Sequence, residues 1–177
     1  MRRTVLLLAI VGAALLLASG VALAAVSIVS GNVINQVRVV REDTPTTTSS
    51  TSFVDIPGAA TTVSVPAGER GLISARFSAE SVCDGDALGY CSVRIVVVDA
   101  SGAIVEMQPA ASIDFAFDST DAENITAPQN SMESYSMDRS LVVRQGNYTV
   151  KAQWAVTSSA VTFRLDDWSL TVEKARV

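Results

Sequence analysis

The sequence predicts an all-β protein, an antiparallel β-sandwich of about ten short strands with a jelly-roll-like arrangement. Beyond residue 24, apolar and polar side chains alternate with period two almost everywhere. Residues typical of turns (Gly, Pro, Asn and Asp) separate the alternating segments. No part of this region shows the i, i+3, i+4, i+7 spacing of an amphipathic helix, so we expect strands and turns throughout.

The expected strands follow one another with short connections. They cover residues 33–40, 62–65, 70–79, 91–97, 103–108, 113–118, 140–144, 148–156 and 161–172. A turn is expected at 66–68, and hairpin turns at 99–102 and 145–147. In the last strand the apolar positions change from odd to even numbers at Asp166–Asp167, which predicts a β-bulge that keeps both sets on the core face.

The N-terminus has the features of an export signal. Arg2 and Arg3 precede an apolar run over residues 5–17, and Ala22-Leu23-Ala24 matches the small-x-small pattern read by signal peptidase. We therefore expect a signal peptide over residues 1–24, with an uncleaved membrane anchor as the alternative. Cleavage would leave no stable membrane span. Residues 25–52 are expected to hold the first strand and a flexible Thr/Ser-rich connection, and residues 53–177 the sandwich domain.

The composition excludes several classes of chemistry. The chain has no histidine, and Lys+Arg 13 against Asp+Glu 18 gives a net charge of −5. Serine and cysteine catalysis with a histidine base, histidine zinc sites and histidine proton shuttles are therefore excluded. The low pI of about 4.6 argues against a nucleic-acid partner.

Cys83 and Cys91 are the two cysteines of the chain and are separated by seven residues. In an oxidising compartment this spacing favours one disulfide that closes a small loop. The alternative is a pair of free thiols in a metal or redox site, although the spacing is not that of a CxxC motif.

Two segments carry a resemblance to known families. The segment 141–150 contains Gly146-x-Tyr148-x-Val150, which resembles a hairpin of immunoglobulin-like and jelly-roll sandwiches. The segment 65–73, followed by an alternating strand, resembles the early strands of C1q/TNF-type jelly rolls, and residues 53–173 resemble secreted bacterial β-sandwich proteins. The resemblance implies a fold and export, and it implies that the Tyr148 hydroxyl bonds back to nearby backbone. It implies no activity.

Only carboxylates remain as candidate catalytic groups. Paired acids hydrolyse glycosides when one carboxyl is protonated and the other ionised. The acids considered for this role are Glu80, Asp114, Asp118, Glu133, Asp138, Asp166 and Asp167. Their spacing singles out no pair, so we expect solvated outward positions and no enzyme.

Calcium is the one cofactor that the sequence suggests, because acidic residues cluster in two loops. Calcium binds six to eight oxygen ligands, which loops between strands often supply. The candidate ligands are Asp84, Asp86, Asp118, Asp121 and Glu123. Ordinary turn chemistry is the alternative explanation of these residues, because Asp and Gly favour turns.

The aromatic residues divide into core and surface candidates. Trp154 and Trp168 fall in register with apolar neighbours, so both are expected in the core. Tyr90 and Tyr135 are the candidates for ligand contact, for example by stacking on a sugar ring. We therefore expect a secreted, non-enzymatic binding or structural module at the cell surface or outside the cell. A carbohydrate-binding domain, a carboxylate-dependent glycoside hydrolase and a self-assembling surface protein are the alternatives.

Overall fold

The computed structural model describes residues 28–85, 88–110, 115–120 and 132–177. These ranges contain β1 (Ile34–Glu42), β2 (Thr46–Thr48), β3 (Val54–Gly85), β4 (Tyr90–Asp99), β5 (Ile104–Glu106), β6 (Asp118–Ser119), β7 (Glu133–Val156) and β8 (Val161–Arg176). No helix occurs in the described ranges. None of the described residues therefore belongs to a helix that could cross a membrane.

All the strands join one antiparallel sheet with the order β1-β8-β3-β7-β4-β5, to which β2 adds beside β8 and β6 beside β4. The predicted all-β antiparallel fold is confirmed. The described strands are eight in number, fewer than expected, because β3 and β7 are each far longer than the segments that the sequence suggested.

The two long strands divide the sheet into two halves. Residues 70–81 of β3 pair with 133–144 of β7, and residues 71–85 of β3 pair on their other side with β8. We call this part, with β1 and β2, the β8 half. Residues 54–65 of β3 and 146–156 of β7 form the β4 half together with β4 and β5. Each long strand therefore belongs to both halves.

The halves meet at a bend, residues 66–69 of β3, where β3 leaves the ladder. Four residues of β3, 66–69, lie between the paired Val65 and Arg70. Opposite them, only one residue of β7, Gln145, lies between the two partners. Gly68 has a φ of 77°, and its N–H donates to the Gln145 side-chain oxygen over 2.6 Å. The turn expected at 66–68 is thus a local irregularity within a continuing strand. The hairpin expected at 145–147 is wrong: β7 continues through these residues because β3 pairs with it on both sides.

The core lies between the two halves. Trp154 of the β4 half contacts Phe163 of the β8 half, with ring centroids 5.7 Å apart. Trp154 and Trp168 are each 2% exposed, which confirms their predicted burial. A sheet whose halves pack face to face in this way is compatible with the predicted sandwich. One cluster of buried apolar side chains extends through both halves.

The predicted bulge in β8 is confirmed. The register between β3 and β8 shifts at Ser78/Glu80, where two residues of β8 oppose Ala79. Asp167 has a φ of 43°, in the left-handed region that a non-glycine residue seldom adopts. Phe163 and Leu170 are both fully buried, although one precedes and the other follows the bulge. The extra residue therefore keeps the whole strand facing the core.

The N-terminal region is part of the same sheet. β1 lies where the first strand was expected, and its residues 34–42 pair with β8. The Thr/Ser-rich connection is more regular than expected, since its residues 46–48 form β2 and also pair with β8. The hairpin turn at 99–102 is confirmed, with Gly102 at a φ of 84° and its N–H bonded to the Asp99 carbonyl over 3.0 Å.

Deleting Asp167 is expected to unfold the domain. Without the extra residue, either Phe163 or Leu170 with its neighbours must turn away from the core, because neighbouring strand residues face opposite sides. The matched control is Asp167→Gly, which keeps the strand length and adopts a positive φ without a Cβ penalty. Far-UV circular dichroism and thermal denaturation distinguish the two variants. A deletion variant that melts like the unmodified chain contradicts the observed register.

Candidate functional site

The predicted disulfide is formed and joins the two halves of the sheet. Cys83 lies near the end of β3 in the β8 half, and Cys91 lies at the start of β4, with 5.8 Å between the Cα atoms. Cys83 pairs across the ladder with Phe163 of β8, and Cys91 with Val156 of β7. The bond therefore fixes one end of the β8 half against the β4 half.

A short segment, 115–120, is hydrogen-bonded to this end of the sheet. The Phe117 N–H donates to the Cys91 carbonyl over 2.8 Å. Three hydrogen bonds join Thr120 to Gly89. The Thr120 N–H and hydroxyl donate to the Gly89 carbonyl over 3.0 Å and 3.1 Å, and the hydroxyl accepts the Gly89 N–H over 2.8 Å. These bonds place Asp118, which lies between them in sequence, beside the disulfide and the end of β3.

Four polar side chains come together here, and we call them the disulfide-end cluster: Ser81, Asp118, Glu133 and Tyr135. The Ser81 hydroxyl, on a residue that is fully buried, donates to Asp118 Oδ2 over 2.6 Å. The Tyr135 hydroxyl donates to the Glu133 carboxylate. β3 and β7 bring the two pairs together, because Ser81 is the register partner of Glu133.

The environment of Tyr135 strengthens its hold on its proton. Its hydrogen bond to Glu133, followed by burial and by the negative charges of Asp118 and Glu133, raises the pKa of Tyr135 to about 12. The ring packs edge-on against Phe117, with centroids 5.8 Å apart, and the side chain stays partly exposed. Tyr135 is therefore a neutral, fixed aromatic group next to two carboxylates.

Tyr90, the other predicted ligand-contact residue, starts β4 beside the same end of the sheet. Its N–H donates to the Thr157 hydroxyl over 3.0 Å, and its carbonyl accepts the Thr157 N–H over 3.1 Å. Its register partner in β6 is Ser119, the neighbour of Asp118. Both predicted tyrosines are thus partly buried residues of the disulfide end.

The carboxylate candidates divide between the two faces of the β8 half. Asp118 and Glu133 belong to the disulfide-end cluster, whereas Glu80, Asp138 and Asp166 lie on the outer face. Asp138 pairs with Arg76 over 2.9 Å and Asp166 with Arg164 over 3.0 Å. Asp167 forms the bulge in β8, and Asp114 lies outside the described residues. Among the described residues, the structure therefore brings Asp118 close to Glu133 at the disulfide end and places Glu80 opposite Asp166 on the outer face.

The calcium candidates are only partly within the described residues. Asp84 accepts the Gly85 N–H over 2.8 Å, and Asp118 is bonded to Ser81. The other three, Asp86, Asp121 and Glu123, lie outside the described ranges. In the part of the chain that the structure describes, no group of three or more acidic or cysteine side chains could hold a metal ion. The calcium site stays a prediction.

Sequence reasoning missed Ser81 and Arg139. Ser81 lies on the same face of β3 as the apolar residues before it. A serine on a buried face needs a hydrogen-bond partner, so this position in the sequence could have indicated a buried polar contact. Arg139 is 8% exposed, and its guanidinium lies 4.5 Å from the ring centroid of Phe115. Burial lowers the pKa of Arg139, opposed by the charges of Glu106 and Asp138. Only the packing of 115–120 beside β7 explains this buried arginine.

A second polar group crosses the β4 half, and we call it the polar row: Asp55, Gln153, Arg94 and Glu106. Gln153 accepts from Arg94 Nε over 2.8 Å and donates to Asp55 over 2.7 Å. Arg94 also pairs with Glu106 over 3.5 Å, so the row connects four neighbouring strands. Lys151 and Gln153 lower the pKa of Asp55 by hydrogen bonding. The row fixes the short strand β5 to the sheet.

Comparisons with known proteins give no family for the chain. No protein-family model and no curated protein matches it. Among solved structures, it is similar to dimeric latent PorU from Porphyromonas gingivalis, with a TM-score of 0.33 and 9% sequence identity. The similarity covers 83% of this chain and 14% of that chain, so this chain spans a small part of the PorU length. The function is therefore argued from the residues alone.

Replacing both cysteines, Cys83→Ser with Cys91→Ser, is expected to lower the free energy of unfolding by about 2–3 kcal/mol, because the unfolded chain regains the freedom of an open loop. Urea denaturation with and without dithiothreitol measures the change. The reductant should destabilise the unmodified protein and leave the double variant unaffected. Equal sensitivity of both proteins would contradict the proposed contribution of the disulfide.

Tyr135 is expected to titrate near pH 12, above the usual value of 10. The folded state holds the Tyr135 proton more tightly than the unfolded state, so the protonated hydroxyl contributes to the free energy of unfolding. This contribution is fully present below pH 10 and is lost as pH rises through about 12. Absorbance at the tyrosinate band measures the titration, and Tyr135→Phe identifies the step. Glu133→Gln should move it towards 10, since the hydrogen bond to Glu133 is the largest cause. An unchanged step in that variant argues against this cause.

Proposed function

We propose that this chain is an exported, non-catalytic β-sandwich that acts as a binding or structural module at the cell surface or outside the cell. The observation that carries the proposal is the disulfide between Cys83 and Cys91, which connects the two halves of the sheet. Disulfides of this structural kind persist in oxidising compartments and are rare in reducing ones. The N-terminal sequence supports the same location. It fits a signal peptide over residues 1–24, with an uncleaved membrane anchor as the alternative.

The bonding of the carboxylates supports a non-catalytic role. Asp118 accepts hydrogen bonds from Ser81 and from the Ser119 N–H, and Glu133 accepts one from Tyr135. A glycoside hydrolase needs one acid that donates a proton to the leaving group. Here both carboxylates accept hydrogen bonds from the protein's own donors, which hold them in place and suit a fixed binding surface better than proton transfer. The absence of histidine from the whole chain removes the commonest alternative base.

Carbohydrate is the ligand class that the disulfide-end cluster favours. Sugar sites combine an aromatic ring for stacking with carboxylates that accept hydroxyl hydrogen bonds. Tyr135 supplies a partly exposed ring, and Asp118 and Glu133 lie beside it. An ionised carboxylate has about four acceptor positions, so each acid keeps acceptor capacity for a ligand. Tyr90 is the other partly exposed tyrosine of this end. Calcium bound in the acidic loops remains part of this proposal.

A glycan array probed with the purified protein, in calcium and then in EDTA, tests the ligand class. We expect binding to a limited set of glycans, with at least a tenfold loss (about 1.4 kcal/mol) in Tyr135→Ala. Tyr148→Ala is the matched control, because that tyrosine lies in the bend region and bonds to the Arg144 carbonyl over 2.9 Å. A blank array in both buffers removes the carbohydrate assignment.

A separate assay tests the proposal that the chain is not an enzyme. Hydrolysis of any bound glycan above the buffer blank, lost in Asp118→Asn or Glu133→Gln, overturns it and makes the chain a carboxylate-dependent hydrolase.

A further inference from the structure

The β1 strand forms a long sheet edge with which no described strand pairs, although its Gln36 side chain accepts the Ser64 N–H of β3 over 3.3 Å. β1 pairs with β8 along one side over nine residues, Ile34–Glu42, and is the last strand of the sheet on that side. None of the described residues pairs with its other side. An unpaired strand edge presents a row of N–H and C=O groups that a further strand can use.

The other edges of the sheet are short or interrupted. β5 has only three residues, and Pro57 with Gly58 breaks the ladder of β3 in the β4 half. The outer side of β7 in the β8 half is occupied where Gln108 exchanges two backbone hydrogen bonds of 2.9 Å with Ser140. β1 is therefore the longest regular edge that the described chain leaves open.

β1 lacks two of the features that protect a strand edge, although it carries charged residues and a register shift at Ile34/Gln36. It contains no proline and no lysine, the residues that most often block edge pairing. Its outer face is apolar, with Val37 54% and Val39 58% exposed. More than half of the exposed large apolar residues of the described chain lie in or just before this strand: Ile28, Val29, Val33, Ile34, Val37 and Val39. A strand that pairs here would cover part of this surface.

The charges of β1 are complementary to those of a second β1 in one antiparallel register. If two β1 strands pair about a twofold axis at Val40, each Arg38 lies opposite the partner strand's Glu42. An axis at Arg38 would instead place two arginines opposite each other, and an axis at Val39 would leave Arg38 opposite Val40. Arg38 makes no ion pair within the described part of the chain. Of these three registers, the Val40-centred one therefore gives two cross-strand ion pairs.

We propose that two copies of this chain associate through antiparallel pairing of their β1 strands, centred on Val40, so that their β8 halves form one continuous sheet. The symmetry is that of a twofold dimer, in which one surface meets its own copy. The proposal uses no residue of the disulfide-end cluster. It therefore stands or fails separately from the proposed ligand binding.

Charge exchange tests both the dimer and its register. The full chain, purified as an exporting host processes it, is measured by sedimentation equilibrium over a concentration series. We expect a dimer whose Kd rises about tenfold to a hundredfold in Arg38→Glu and in Glu42→Arg, because each change creates two like-charge pairs. The double variant Arg38→Glu with Glu42→Arg should restore the original Kd. Arg41→Glu is the matched control and should leave it unchanged, since Arg41 lies opposite Val39 in this register.

Two results overturn the proposal. One is a monomer at all concentrations up to about 100 μM, the range of weak but specific association. The other is a dimer that the single charge changes and an added Val39→Lys do not weaken. Circular dichroism of every variant separates loss of pairing from loss of folding. Failure of the double variant to recover the dimer, with its fold intact, overturns the register at Val40.

Discussion

The fold depends on two strands that are shared between its halves. β3 and β7 remain paired with each other on both sides of the bend, so the orientation of one half relative to the other is fixed by backbone hydrogen bonds. The bend needs three more residues in β3 than in β7, with Gly68 at a positive φ and its N–H bonded to Gln145. The contact of Trp154 with Phe163 and the closure of the disulfide both follow from this geometry.

The disulfide-end cluster is the clearest consequence of that folding. Its members come from β3, from the segment that packs on β4, and from the start of β7, which are far apart in sequence. The buried Ser81 and the fixed Tyr135 show how hydrogen bonds within the cluster satisfy its own polar groups. A site whose side chains are already held in place loses little conformational entropy when it binds, which favours affinity in a small surface site.

The two surfaces proposed for interaction differ in physical character. The disulfide end is polar, with carboxylates and a tyrosine hydroxyl held by directed bonds. The β1 edge is a backbone surface with an apolar outer face and isolated charges, so its specificity comes from register more than from shape. Because the two use different residues, ligand binding at one end and pairing along the edge are compatible in a single assembly.

The sequence by itself determined the features that depend on neighbours along the chain. Period-two alternation predicted the all-β fold, the burial of Trp154 and Trp168, and the bulge beside Asp167, because side-chain direction in a strand follows from position alone. Only the tertiary structure decided whether the chain would turn back at Gln145–Asn147 or continue as a strand. Those residues suit either form, and pairing with β3 selected the continuing strand. It also decided which acids meet at Tyr135, because contacts between distant segments depend on how the sheet folds over.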